Sequence, residues 1–170
     1  MPVHNALFET RRAIHSILAH TSWPYQLTIF DDGSDQYCKD EINELVDTAK
    51  SQGFQIACIH QRKAQGFVYT VNRAFARSEE ELTLIINSDV IVTPFWLTRM
   101  ALAMQYDNNT AVLMPLSNNA SFHSFAIPPG WNLFQLSSVL AQVGRSQKPI
   151  DLVTAVGFCL LLRRSAMPTP

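Results

Sequence analysis

The stretch Leu82 to Leu97, LTLIINSDVIVTPFWL, constrains the fold more than any other part of the chain. Leu82 to Ile86 is a nearly unbroken apolar run with adjacent isoleucines, the pattern of a strand buried on both faces inside a parallel sheet. The run stops at Asn87-Ser88-Asp89, apolar sequence resumes at Val90 to Val92, and Thr93-Pro94 then predicts a helix start. Thr93 can cap such a helix, and Pro94 suits a first turn that needs no amide hydrogen. A carboxylate at the end of a buried strand stands at the rim of the sheet. In open α/β sheets, the crevice beyond the carboxyl ends of the strands is where ligands bind. The same three residues also suit a plain turn, because Asn, Ser and Asp bond readily to neighbouring backbone.

Short apolar strands and amphipathic helices alternate on either side of this stretch. Strand patterns occur at Gln26 to Phe30, Phe54 to Ile59, Ala111 to Met114 and Leu152 to Leu162. Helical stripes are carried by Leu7, Ile14, Ile17 and Leu18 after an Asn5 cap, and by Ile42, Leu45, Val46 and Ala49 before Gly53. Others follow at Phe67, Val71, Ala74 and Phe75, at Phe95, Trp96, Met100 and Met104, and at Leu133, Leu136, Leu140 and Val143. The alternation predicts an α/β fold with a mostly parallel sheet flanked by helices, in a single domain over residues 1–170. Ser117 to Gly130 is polar and proline-bearing, with the length of a binding loop or lid. No complete strand is expected before the first helix, because only Pro2 to Asn5 precede it.

Composition narrows the function. Hydrophobic residues make up 47% and charged residues 16%, so the chain is globular, and a net charge of -1 offers no field for nucleic acid or an anionic membrane. Cys38, Cys58 and Cys159 lack metal-ligand spacing and suit buried thiols in a reducing compartment. No apolar run reaches the ~18 residues of a membrane span, and no signal-peptide pattern opens the chain. A cytoplasmic location is expected, including the inner face of a membrane.

Chemistry concentrates at strand ends. Asp31-Asp32 and Asp89 line one crevice if their strands are neighbours, and hard oxygen ligands there suit Mg²⁺ or Mn²⁺ shared with a phosphate. Asp31-Asp32-Gly33-Ser34 is equally good turn chemistry. Gly66 lets backbone amides approach a phosphate at a helix start, or simply relieves a tight turn. His4, His15, His20, His60 and His123 share no ligand spacing, and Cys159 has no charged neighbour to activate it. Arg62, Lys63, Arg163 and Arg164 read as solvated charges. Trp131, beside Pro128-Pro129-Gly130, can stack against a sugar ring.

In order, these segments resemble the family 2 glycosyltransferases of the GT-A fold over nearly the whole chain. Pro2-Val3-His4-Asn5 resembles the family's opening Pro-Val-Tyr-Asn, which touches the nucleotide base. Ile29 to Ser34 resembles its next motif, whose base-binding acid maps onto Asp31. Gly66-Phe67 through Asn72 is similar to a donor-side Asn-x-Gly-Phe…Asn segment, with Ala64 at the place of the first Asn. Asn87-Ser88-Asp89 is similar to the Asp-x-Asp metal motif, with Asn87 for the first acid and Asp89 at the metal-binding end. Val156-Gly157-Phe158 to Arg164 resembles the strand lining the acceptor side. The resemblance implies transfer of a hexose or deoxyhexose from a UDP or dTDP sugar to a glycan or lipid-linked acceptor, as in cell-wall or polysaccharide biosynthesis. It implies nucleotide contacts from Pro2, His4, Asp31, Gly66, Asn72 and Ser88, and a Mg²⁺ or Mn²⁺ ion on Asp89 and Asn87. It implies acceptor contacts from Gly157 and Phe158, and the loop aromatic Trp131 is expected on the acceptor side with them. The family's first strand precedes its Pro-Val motif, and its catalytic base follows the Arg163-Arg164 strand, so the chain is expected to be incomplete at both ends. A non-catalytic nucleotide-sugar module and a sugar nucleotidyltransferase are the other readings. The second would carry a Gly-rich, basic phosphate loop where Pro2 to Asn5 stand.

Overall fold

A computed structural model describes residues 1–143 and 149–167, so the terminal Pro168-Thr169-Pro170 lies outside the described residues. The chain alternates as the apolar pattern requires: β1 (Pro2–Val3), α1 (Leu7–His20), β2 (Leu27–Asp31), α2 (Gln36–Ser51), β3 (Ile56–His60) and α3 (Phe67–Arg77). It continues with β4 (Leu82–Ile86), α4 (Trp96–Tyr106), β5 (Val112–Leu113), α5 (Leu133–Val143) and β6 (Cys159–Arg163), followed by a 3₁₀ turn at Arg164–Ala166.

Two three-stranded sheets result. In the first, order β1-β2-β3, all strands are parallel. In the second, order β4-β6-β5, the central β6 runs antiparallel to both neighbours, with Leu84 opposite Leu161 and Leu113 also opposite Leu161. The first strand, expected to be missing, is therefore present in short form. Phe30 N–H donates to Met1 O at 2.8 Å and Asp32 N–H to Val3 O at 2.7 Å, so β1 reaches the end of β2. The predicted strand over Leu152 to Leu162 shortens to β6, with Gly157 and Phe158 just ahead of it.

One core joins the layers. Ile14 and Ile17 of α1, Ile42 and Val46 of α2, Ile29 of β2 and Ile86 of β4 are all nearly inaccessible and share it with Met100, Met104 and Leu161. Four of the five β4 residues are only half-buried, so the strand is less enclosed than its apolar run predicts.

Helix ends follow local chemistry, with two exceptions to the expected caps. Asp35 caps α2, accepting from Cys38 N–H at 2.8 Å, and Gly53, at φ 90°, turns the chain out after its C-terminus. Asn5 is not the α1 cap: it sits at φ 57°, where its side-chain oxygen accepts from Asp35 N–H and its own N–H donates to Ser34 Oγ. Thr93 does not cap α4 by its side chain either. Its hydroxyl bonds Ser137 at 2.8 Å, and the helix begins after Phe95 in a left-handed conformation. Phe95 is consequently exposed, while Trp96 is buried and donates its indole N–H to Thr21.

Arg163 and Arg164 are not solvated charges. Arg163 donates to Met104 O at 2.6 Å and Thr110 O at 3.0 Å, and Arg164 donates to Phe75 O at 3.1 Å while lying over the Phe75 ring. Both guanidinium groups thus reach carbonyls near the C-terminal ends of α3 and α4, where positive charge is favoured.

Candidate active site

The carboxyl ends of β1, β2 and β4 meet the N-terminal turns of α1 and α3 around an open cleft of about 330 Å³. Pro2, Val3 and His4 form one wall, Asn87, Ser88 and Asp89 another, and Phe67 with Thr70 the end nearest Asp32. This is the crevice that the strand-end argument requires. The structure brings Pro2, His4, Asn87, Ser88 and Asp89 together around this cleft.

Asp31 is placed elsewhere. Its side chain is fully buried, with Oδ1 accepting from Ser34 N–H at 3.0 Å and Oδ2 from His60 Nδ1–H at 2.9 Å. The far side of the His60 ring meets the Asn43 amide on α2. Asp32 lines the cleft instead. The reason is the strand's period of two: adjacent residues at the end of β2 point to opposite faces, one toward α2 and the next toward α3.

Asp32 is held with little freedom. Oδ1 accepts from Gln61 Nε2 at 3.0 Å and from Gln65 N–H at 2.8 Å, and Oδ2 accepts from Gly66 N–H at 2.8 Å. Buried Gln61 also donates to Thr70 Oγ1 and accepts from Arg73, which ties the carboxylate to α3. A carboxylate has about four lone-pair positions, so three are used here and one remains for a ligand. Gln61 was not singled out in the sequence; only its burial beside two acids marks it. Gly66 works from one step away, fixing Asp32 through its own N–H at a φ of 90°. Asn72 is exposed on α3 and does not line the cleft.

His4 Nδ1 lies 2.8 Å from Asp32 O, an atom that can only accept, so Nδ1 carries the proton. Nε2 faces the Asn5 amide at 3.5 Å. The imidazole is thereby fixed at the cleft wall.

The oxygens at the other wall are free. Asp89 is exposed, and Asn87 Oδ1 is buried without a hydrogen-bond partner among the described residues, while Asn87 N–H donates to Phe158 O. An orphaned amide oxygen beside a carboxylate fits a hard divalent cation. Among the described residues no three His, Cys, Asp or Glu side chains gather around a common point. Mg²⁺ or Mn²⁺ held here would complete its shell with phosphate and water, the usual arrangement for Mg²⁺. Among the described residues, the cleft lining contains Glu9, Asp32 and Asp89 and no Lys or Arg.

Trp131 lies apart, half-exposed in a shallow groove along α5 with Phe134 and Val139. Gly157 and Phe158 adjoin Asn87 through the Phe158 carbonyl but do not line the cleft. The three thiols are free, and burial pushes Cys159 up to about 12. No helix among the described residues is long and apolar enough to cross a membrane.

The profile of the Glycosyl transferase family 2 matches residues 1–168. The chain belongs to that family. Two solved structures share the fold: the mannosyltransferase PcManGT from Pyrobaculum calidifontis, in complex with GDP-Man and Mn²⁺, and TarS 1-349 of S. aureus. PcManGT is 15% identical with a TM-score of 0.53, covering 65% of this chain and 32% of its own. TarS is 17% identical with a TM-score of 0.57, covering 71% of this chain and 36% of its own. This family 2 chain thus spans about a third of either neighbour's length. A search of curated protein sequences finds no significant match.

Proposed function

We propose that this family 2 domain binds a nucleotide diphosphate sugar of the UDP or dTDP type in the cleft and serves its transfer to a glycan or lipid-linked acceptor hydroxyl. The observation that carries the reading is the convergence of His4, Asp32 and Asn87-Ser88-Asp89 at three strand ends around one cleft. Asp32, rather than Asp31, meets the base. Its remaining lone pair suits an imide N–H such as that of uracil or thymine, and the His4 ring and Phe67 offer flat walls beside it. Ser88 and the β1 end face the ribose, and Asp89 with Asn87 Oδ1 holds the divalent cation.

A divalent cation there supplies charge stabilisation for the leaving diphosphate. The lining supports that role, because among the described residues three carboxylates and no basic side chain oppose an anionic diphosphate. In the transfer, the acceptor oxygen bonds to the anomeric carbon as the bond to the diphosphate oxygen breaks. The acceptor proton passes to a base, to which the family resemblance assigns a place after β6. Asp32 and His4 hold the nucleotide still, so that this carbon is presented at a constant position.

Calorimetric titration with UDP, in MnCl₂ and then in EDTA, tests the reading. Asp89→Asn keeps the shape and removes the charge, so metal-dependent affinity falls at least tenfold, about 1.4 kcal/mol. Unchanged, metal-independent binding in the variant refutes the cation site.

A further inference from the structure

We infer that Glu9 restricts the donor to uncharged sugars, rejecting hexuronates by like-charge repulsion at the cation end of the cleft. The inference rests on the nucleotide-sugar reading above and adds a substrate class to it.

Glu9 lines the cleft, is exposed, and has no hydrogen-bond or ion-pair partner among the described residues. Its place on α1 fixes which end it faces. Glu9, Ala13 and Ser16 follow one another at helical spacing along a single face of α1. Ser16 Oγ accepts from Val92 N–H at 3.1 Å, so this face of the helix packs against the segment that follows Asp89. Two turns toward the N-terminus, the same face carries Glu9, which lines the cleft together with Asn87-Ser88-Asp89.

The charges there do not cancel evenly. A divalent cation on Asp89 is offset by Asp89 itself and by the diphosphate it binds. Glu9 is left uncompensated, since among the described residues the cleft lining has no Lys or Arg to pair with it. A sugar attached to the diphosphate projects from the cation end, so its substituents meet this carboxylate. A hydroxyl can donate to Glu9. A sugar carboxylate can only accept, and it repels the residue that a hydroxyl would bond. Discrimination of this kind rests on a repulsive element as much as on an attractive one.

The test measures Kd for UDP-glucose and UDP-glucuronate in MnCl₂, for the chain and for Glu9→Gln. Wild type binds the glucuronate more weakly, and Glu9→Gln narrows the ratio of the two constants by about three- to fivefold, the size of one charge pair at a solvated rim. The wild-type ratio also shrinks as NaCl is raised, because exposed charges are screened. A ratio that is the same in both proteins, or insensitive to salt, overturns the role of Glu9 alone. Failure of both sugars to bind overturns the donor reading, and this inference with it.

Discussion

Gly33 gives a sharp test of how the Asp32 cradle is built. It sits at φ 70°, and a Cβ added there would lie 2.5 Å from Ala64 N and 2.6 Å from the Lys63 carbonyl carbon. Both are backbone atoms, so no flexible side chain can swing aside. A left-handed backbone costs a non-glycine residue roughly 1–2 kcal/mol. Forcing extra volume into a packed site costs roughly 1–3 kcal/mol more. Gly33→Ala should therefore lose about 2–5 kcal/mol, a large share of the ~5–15 kcal/mol that holds a typical domain together. Gly53 supplies the control, because it has φ 90° with nothing within 4 Å of an added Cβ. Gly53→Ala carries the conformational part alone, about 1–2 kcal/mol. Urea denaturation of the two variants at equal m-value separates the parts. The Lys63–Ala64 backbone leads straight to the Gln65 and Gly66 N–H groups that hold Asp32, so Gly33→Ala should also weaken UDP binding whereas Gly53→Ala should not. Equal losses in the two variants would refute the close approach of the two loops.

Other outcomes follow from the same geometry. Asp32→Ala leaves buried Gln61 without one of its acceptors and should cost about 1–3 kcal/mol by thermal or chemical unfolding, besides weakening UDP binding. Arg163→Met strips the charged donor from Met104 O and Thr110 O and should lower stability by about 1–3 kcal/mol, where a solvated arginine would change almost nothing. Cys159 is held protonated by burial up to about 12, above its unfolded value near 9. Its contribution is full below pH 9 and is lost as pH rises toward 12, at about 1.4 kcal/mol per pH unit. A Cys159→Ala variant, compared with the parent by denaturant titration across that window, should show a shallower decline.

The amino-acid sequence alone determined the order of elements from α1 onward, because each signal is local. Adjacent isoleucines in Leu82 to Ile86 favour a strand, Asp35 caps α2 within its own turn, and Gly53 takes a backbone conformation that few other residues tolerate. It also placed Asn87-Ser88-Asp89 at a strand end, where an α/β sheet puts its crevice. Tertiary structure decided the rest. Whether Asp31 or Asp32 enters the cleft depends on the phase of β2 between α2 and α3, and two adjacent aspartates carry no mark of that phase. The reversal of β6 depends on pairing between residues 82–86 and 159–163, which are distant in sequence. Arg163 and Arg164 acquire their roles only when β6 meets the ends of α3 and α4, and Trp131 proves to lie along α5 rather than in the cleft. Glu9 belongs to this second class too. Along the sequence it is one exposed carboxylate among others, and it becomes a part of the site only because the start of α1 packs beside the ends of β1 and β4. Helical and strand periods are written into neighbouring residues, but the direction in which a polar side chain finds its partner is set by chain segments far away.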